Sequence, residues 1–272
     1  MRFPFPPLLA LGAFVTSASF AAPSSADPWA AGLTLDYAAV DAGLAVLHAS
    51  KPEDLNAQLA YASSLLMKQP RSNGNLRTAL DLSAEVLTRP TATTDQRVLA
   101  RYLLARIYHI HLDAPELDHA ATEYRKLLAD FPGHPLAEQA AVKLALLYLY
   151  QSPNLAPPDA QKHVADLLAR VTTADARREL HFLLGKEIWL AAHDPANALQ
   201  HLIAARELDF QQLDRNAEVD LMIGNIAREN GRPDLALPHL RRFLAQRERD
   251  PRVTTVRRYV RQLESLAAND QR

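Results

Sequence analysis

The residues that could do chemistry in this chain are histidines, carboxylates and arginines, because cysteine is absent. That rules out disulfides, thiolate metal sites and a thiol nucleophile. Ten histidines stand at 48, 109, 111, 119, 134, 163, 181, 193, 201 and 239. His109-x-His111 resembles a metal-ligand pair, but on a helix residues two apart point to different sides and do not converge. His119 and Glu123 are one helical turn apart, and a single pair is not a site. There is no His-Glu-x-x-His, carboxylate-rich calcium loop, Gly-x-Ser-x-Gly, phosphate-cradling glycine loop or dinucleotide fingerprint. The expectation is therefore no catalytic residue, no metal and no cofactor. Arginines crowd the last third, at 232, 241, 242, 247, 249, 252, 257, 258 and 261, opposed between 232 and 261 only by Asp234, Glu248 and Asp250. Arg257, Arg258 and Arg261 make a secondary basic patch suited to an acidic partner or an anionic lipid surface. A solubilising end cap is the simpler reading.

The elements that would have to position these residues are helices. The chain is 48% hydrophobic with only 8 glycines, and its apolar residues are mainly Ala and Leu, which favour helix over strand. Thirty basic and 31 acidic residues leave a net charge of −1. No global field draws the chain to nucleic acid.

Residues 1–21 read as a secretory signal peptide. Arg2 precedes the apolar run Leu8–Val15, and Ser19-Phe20-Ala21 offers small residues for cleavage, with Ser24-Ser25-Ala26 as a second position. The expectation is export to a periplasmic or extracellular space, and the lack of a cysteine after the apolar run predicts no lipid anchor. No other segment approaches the roughly 20 apolar residues that span a bilayer. If residues 1–21 are not cleaved, the alternative is a cytosolic adaptor. Residues 22–31 read as a mobile linker, and 32–272 as one helical repeat domain with capping helices at both ends.

About twelve helices are expected in that domain. The first carries Leu33, Tyr37, Val40, Leu44 and Leu47 on one face. The others fall at 53–68, 75–88, 95–111, 116–130, 135–151, 158–170, 174–192, 195–208, 212–230, 233–247 and 251–268. Pro52, Asp194-Pro195, Pro233 and Asp250-Pro251 mark helix starts. Pro90, Phe131-Pro132 and Asn230-Gly231 mark ends.

Within this array the stretch 105–148 repeats a pattern. Leu104-Ala105-x-x-Tyr108 is followed by Ala120-x-x-x-Tyr124 and Pro132, and Leu144-Ala145-x-x-Tyr148 restarts it. Ile223-Gly224-x-x-Ala227, then Gly231 and Ala236-x-x-x-Leu240-x-x-Phe243, is a later copy. These spacings resemble the tetratricopeptide repeat, a helix–turn–helix unit with L-G-x2-Y, A-x3-F and a terminal Pro. The small residue lets two helices approach closely and the aromatic fills the gap a turn later. The small slot falls at Ala60, Ala105, Ala145, Gly185 and Gly224, and the resemblance covers roughly residues 50–250. The Trp slot of the family is never Trp here, and the terminal Pro is in register once. Phe131-Pro132-Gly133-His134-Pro135, running on to Tyr148, resembles repeats of bacterial envelope proteins, in the style of tol-pal accessory proteins and outer-membrane assembly lipoproteins.

The resemblance implies an all-α, right-handed solenoid of helical hairpins whose first helices line a concave face. With the small slots as register, positions three before and one, four and five after face inward. That places Tyr102, Arg106, His109 and Ile110 on one rung. Val142, Leu146, Leu149 and Tyr150 make the second, and Phe182, Lys186, Trp189 and Leu190 the third. Leu221, Asn225, Arg228 and Glu229 continue it. Such an apolar-aromatic groove takes a peptide or an amphipathic helix. The implied function is a non-enzymatic protein–protein interaction scaffold, and the resemblance to envelope repeats implies a place in envelope assembly. The competing reading is an enzyme or enzyme subunit with a glycan or peptide substrate in the groove, for which Glu179 and Glu229 are the available carboxylates.

Overall fold

The computed structural model describes residues 37–152 and 154–270, with side chains as far as 266, and all regular structure among them is helical. The expected signal peptide and linker lie outside these residues, as does Leu33. Twelve helices follow in order: α1 (Tyr37–Ser50), α2 (Leu55–Met67), α3 (Asn73–Thr88), α4 (Thr94–Arg106), α5 (Leu117–Asp130), α6 (Pro135–Tyr150), α7 (Pro157–Leu168), α8 (Ala174–Glu187), α9 (Pro195–Glu207), α10 (Leu213–Glu229), α11 (Pro233–Gln246) and α12 (Val253–Asp270). Two of them end in a wider π turn, Ile107–His111 after α4 and Ile188–Ala192 after α8.

Local chemistry sets the boundaries. Asp54 accepts from the Asn56 and Ala57 amides at 3.0 and 3.2 Å, and Thr93 with Gln96 closes a reciprocal capping box. Pro135, Pro157, Pro195 and Pro233 each open a helix, where the missing N–H costs nothing. Gly231 takes a left-handed φ of +66°, and the Arg232 amide bonds back to the Ala227 carbonyl at 2.9 Å. This is the turn that Asn230-Gly231 predicts. His134 caps α6 through its own ring nitrogen, 3.1 Å from the Leu136 amide.

Each helix packs against the next, and α2, α4, α6 and α8 also pack on one another in series. The result is a helical solenoid with one layer of first helices. Three buried clusters run along it: Leu55, Leu59 and Leu65 with Val86, then Tyr124, Leu127, Leu144 and Leu180, then Leu202, Ile223, Leu240 and Phe243. Ala105, Ala145, Gly185 and Gly224 are buried, as small slots must be. The first slot needs correcting. Ala60 is partly exposed, whereas Ala57 and Ala62 on either side of it are buried, Ala62 completely, and Ala62 is taken as the slot of α2 below.

The α8–α10 step differs. Those two helices lack the close packing of the earlier pairs. Arg215 bridges them instead, paired through both terminal nitrogens with Glu179, 5.2 Å from the Phe182 ring and 4.4 Å from the Phe210 ring. The connecting loop holds Asp209 and Gln211 at left-handed φ values of 53° and 58°. Asn216 satisfies that loop by accepting from the Phe210 amide at 3.1 Å.

Candidate functional site

With the slot corrected to Ala62, the residue five positions after each slot is Met67, Ile110, Tyr150 and Leu190 on α2, α4, α6 and α8. They are 47, 40, 48 and 55% exposed. Half of the eight large exposed hydrophobic residues among those described therefore occupy one repeat-equivalent position on four stacked helices. Scattered single apolar residues are ordinary on a surface, whereas an aligned row needs a reason. The next rung replaces the row with Glu229, which is exposed and pairs with Arg228 at 2.8 Å.

The two π turns stand on this row. Ile110 belongs to the first, and Trp189 and Leu190 to the second. A π turn spreads successive side chains more widely than an α-turn and is common at functional sites. It also explains why one expected groove residue is misplaced. The Leu112 amide reaches back to the Ile107 carbonyl at 3.2 Å, and this widened turn rotates His109 inward. His109 is 4% exposed, and its Nε2–H donates to Gln151 Oε1 at 2.7 Å while Nδ1 accepts the Tyr124 hydroxyl at 3.2 Å. It belongs to the packing, not to an open groove. Leu221 is likewise buried, in the C-terminal cluster.

The other expected residues lie between core and surface. Tyr102, Val142, Leu146, Leu149, Phe182 and Trp189 are half-buried and pack against the central cluster. Phe182 meets Phe210 edge-on at 5.7 Å and carries Arg215 above it. Trp189 is edge-on to His193 at 6.4 Å. Arg106, Lys186 and Asn225 are half-buried. Arg228 lies 4.1 Å from the Tyr259 ring. Arg257, Arg258 and Arg261 are exposed on α12, away from its buried stripe of Val253, Val256, Val260 and Leu263.

Sequence register alone missed three charged residues of this face, since it marks positions by repeat and not by contact. Lys143 is on the stripe of α6 that carries Leu146 and Tyr150. Burial first, then the charge of Arg106, pulls its pKa below the usual lysine value, while Glu179 acts the other way. Glu187 stands by the Tyr150 hydroxyl, whose pKa is pushed up to about 12 by burial and then by that carboxylate. Arg215 occupies Glu179. Glu179 is thus held by Arg215, and Glu229 stands beside Arg228. Among the described residues no three His, Asp or Glu side chains meet in a way that would hold a metal ion.

Two half-buried histidines make the fold acid-sensitive. Burial lowers the pKa of His111 and of His181 to about 4, helped by Arg106 and Arg71 at the first and by His201 and Arg177 at the second. The folded pKa values lie below the unfolded value of about 6.5, so the unfolded chain binds more protons as pH falls. Their stabilisation is complete above about pH 6.5 and is lost progressively toward pH 4. The expected cost at pH 5 is roughly 1–3 kcal/mol, discounted for the partial exposure of both rings. A urea midpoint unchanged between pH 7.5 and 5 would refute this, and His181→Gln should remove part of the dependence.

No protein-family model matches the chain, and no curated protein matches it in sequence. The fold defines its class: an all-α helical solenoid.

Proposed function

We propose that this protein is a non-catalytic interaction scaffold built of tetratricopeptide-like hairpins, and that it holds an apolar or amphipathic segment of a partner protein along the ridge. The observation that carries the reading is the alignment of Met67, Ile110, Tyr150 and Leu190 on four stacked helices. Tyr150 and Leu190, with the half-buried Trp189 beside them, are the kind of anchors that dominate peptide interfaces. A rigid layer presents them without ordering cost, which favours binding. The signal-like N-terminal pattern supports action outside the cytoplasm.

A random peptide library displayed on phage and selected against the full chain tests this. Selected peptides should bind at least tenfold more weakly, about 1.4 kcal/mol, to the Tyr150→Ala, Leu190→Ser double variant, with helical circular dichroism retained because both side chains are exposed. In a Trp29→Phe background, binding should shift the emission of Trp189. If the double variant binds the selected peptides normally and Arg257→Glu with Arg258→Glu does not, the basic face of α12 is the working surface and the ridge reading fails.

A further inference from the structure

Two cations next to the ridge have no carboxylate partner. Arg106 ends α4, one turn before Ile110, and Lys143 lies on α6, two turns before Tyr150. Both are half-buried. Neither forms an ion pair with any carboxylate among the described residues, although several arginines of the neighbouring helices do. Arg71 pairs with Asp113, Arg101 with Glu123 and Asp130, Arg178 with Asp175 and Arg215 with Glu179. The helices that carry them, α4 and α6, pack on one another, the two charges act on each other, and Arg106 also hydrogen-bonds the Tyr124 hydroxyl. Glu179 is the acid that acts on Lys143, and Arg215 has already claimed it. Partly desolvated like charges without a counter-ion raise the energy of the free protein, and an arriving anion relieves that cost. Structural lysines of this kind normally find a carboxylate or extend to water.

Resting on the ridge reading above, we propose that Arg106 and Lys143 form an anion-binding site that takes the carboxylate of an acidic side chain on the docked segment. The partner segment is then apolar and acidic at once. Helical rise fixes the spacing: four residues separate Arg106 from Ile110 and seven separate Lys143 from Tyr150, so the anion site lies about 6–10 Å from the apolar anchors. An acidic residue one or two turns from a bulky apolar residue on a helical segment meets both. Guanidinium and ammonium groups suit a carboxylate, and two cations beside a ridge this apolar favour a polypeptide over a polyanion.

The test is a random dodecamer selection with the peptides displayed as fusions through their C-termini, so that side chains are the only source of carboxylate. Against the wild-type full chain, the selected peptides should be enriched in Asp or Glu within about seven residues of a Leu, Phe, Tyr or Trp. Against Arg106→Gln and, separately, Lys143→Met, the acidic enrichment should fall several-fold while the apolar enrichment stays. Lys143→Met removes no hydrogen-bond partner, so it keeps the test sound if Arg106→Gln disturbs Tyr124. Replacing the acid of a selected peptide by its amide should weaken binding about tenfold to wild type and by less than twofold to Lys143→Met. Apolar peptides without acidic enrichment, or acidic enrichment unchanged in both variants, would overturn the anion site and leave the ridge standing. Peptides insensitive to Tyr150→Ala with Leu190→Ser, or no enrichment at all, would overturn the ridge itself and the anion site with it.

Discussion

Replacing Asp220 by Ala should cost about 3–5 kcal/mol of stability, the usual penalty for removing one partner of a buried ion pair. Asp220 is fully buried on α10. Its carboxylate accepts from His239 Nδ1 of α11 at 2.7 Å and from Arg206 Nε of α9 at 3.0 Å, with Arg242 at 3.5 Å. One side chain therefore ties three consecutive helices. Its loss leaves the His239 and Arg206 side chains, 6 and 17% exposed, without their acceptor. Asp220→Asn keeps an acceptor oxygen and should lose less. Urea unfolding of the three proteins at pH 7.5 measures this, and a loss under 1 kcal/mol in the alanine variant would mean that solvent or relaxation replaces the acid.

Gly224→Leu should destabilise the same hairpin by about 3 kcal/mol or more, at the upper end of overpacking costs. Even a methyl group there would stand 2.5 and 2.7 Å from Leu240 Cδ2 and Cγ and 3.3 Å from its backbone nitrogen. Leu240 is itself fully enclosed and has nowhere to go. Gly224→Ala should already be destabilising, although alanine normally improves a helix by about 1 kcal/mol over glycine. Gly74, in the first turn of α3, is the control. A methyl there would meet only Ser72 Oγ, at 3.8 Å. Gly74→Ala should be neutral or stabilising by up to about 1 kcal/mol. Thermal unfolding of these variants separates the two environments, and an unaffected midpoint for Gly224→Leu would show that α10 and α11 do not depend on close approach.

Much of the architecture is written in local chemistry. The helix number and most boundaries fall within two residues of those expected, because caps, prolines and Gly231 act through the nearest few backbone groups. Ala105, Ala145, Gly185 and Gly224 were recognisable as contact residues because a close helix crossing admits only small side chains. The slot on α2 was not, since Ala57, Ala60 and Ala62 are all small and only burial in the folded chain sets the enclosed Ala57 and Ala62 apart from Ala60. The register puts Ile110, Tyr150 and Leu190 on one side and all three are exposed, whereas His109 and Leu221, expected on the same face, are buried.

Hydrogen-bond pattern and contacts between distant residues were not legible. A stretch reading Ile-Tyr-His-Ile-His has no signature that distinguishes a π turn from an α turn, yet the π turn is what buries His109 and leaves Ile110 out. Arg215 reads as one more surface arginine until Glu179, Phe182 and Phe210 surround it. Lys143 reads as a solvated lysine until α4 brings Arg106 alongside. Asp220 and His239 are nineteen residues apart, and nothing in their spacing announces a buried pair. By itself the sequence determined that this protein is a series of helical hairpins with small residues at their crossings, because propensity, capping and side-chain size are properties of neighbours along the chain. Which charges end up paired, which stay bare beside the ridge, and which helix face stays open were decided by the stacking of the hairpins, because desolvation and Coulomb energy depend on distances that only the tertiary structure sets.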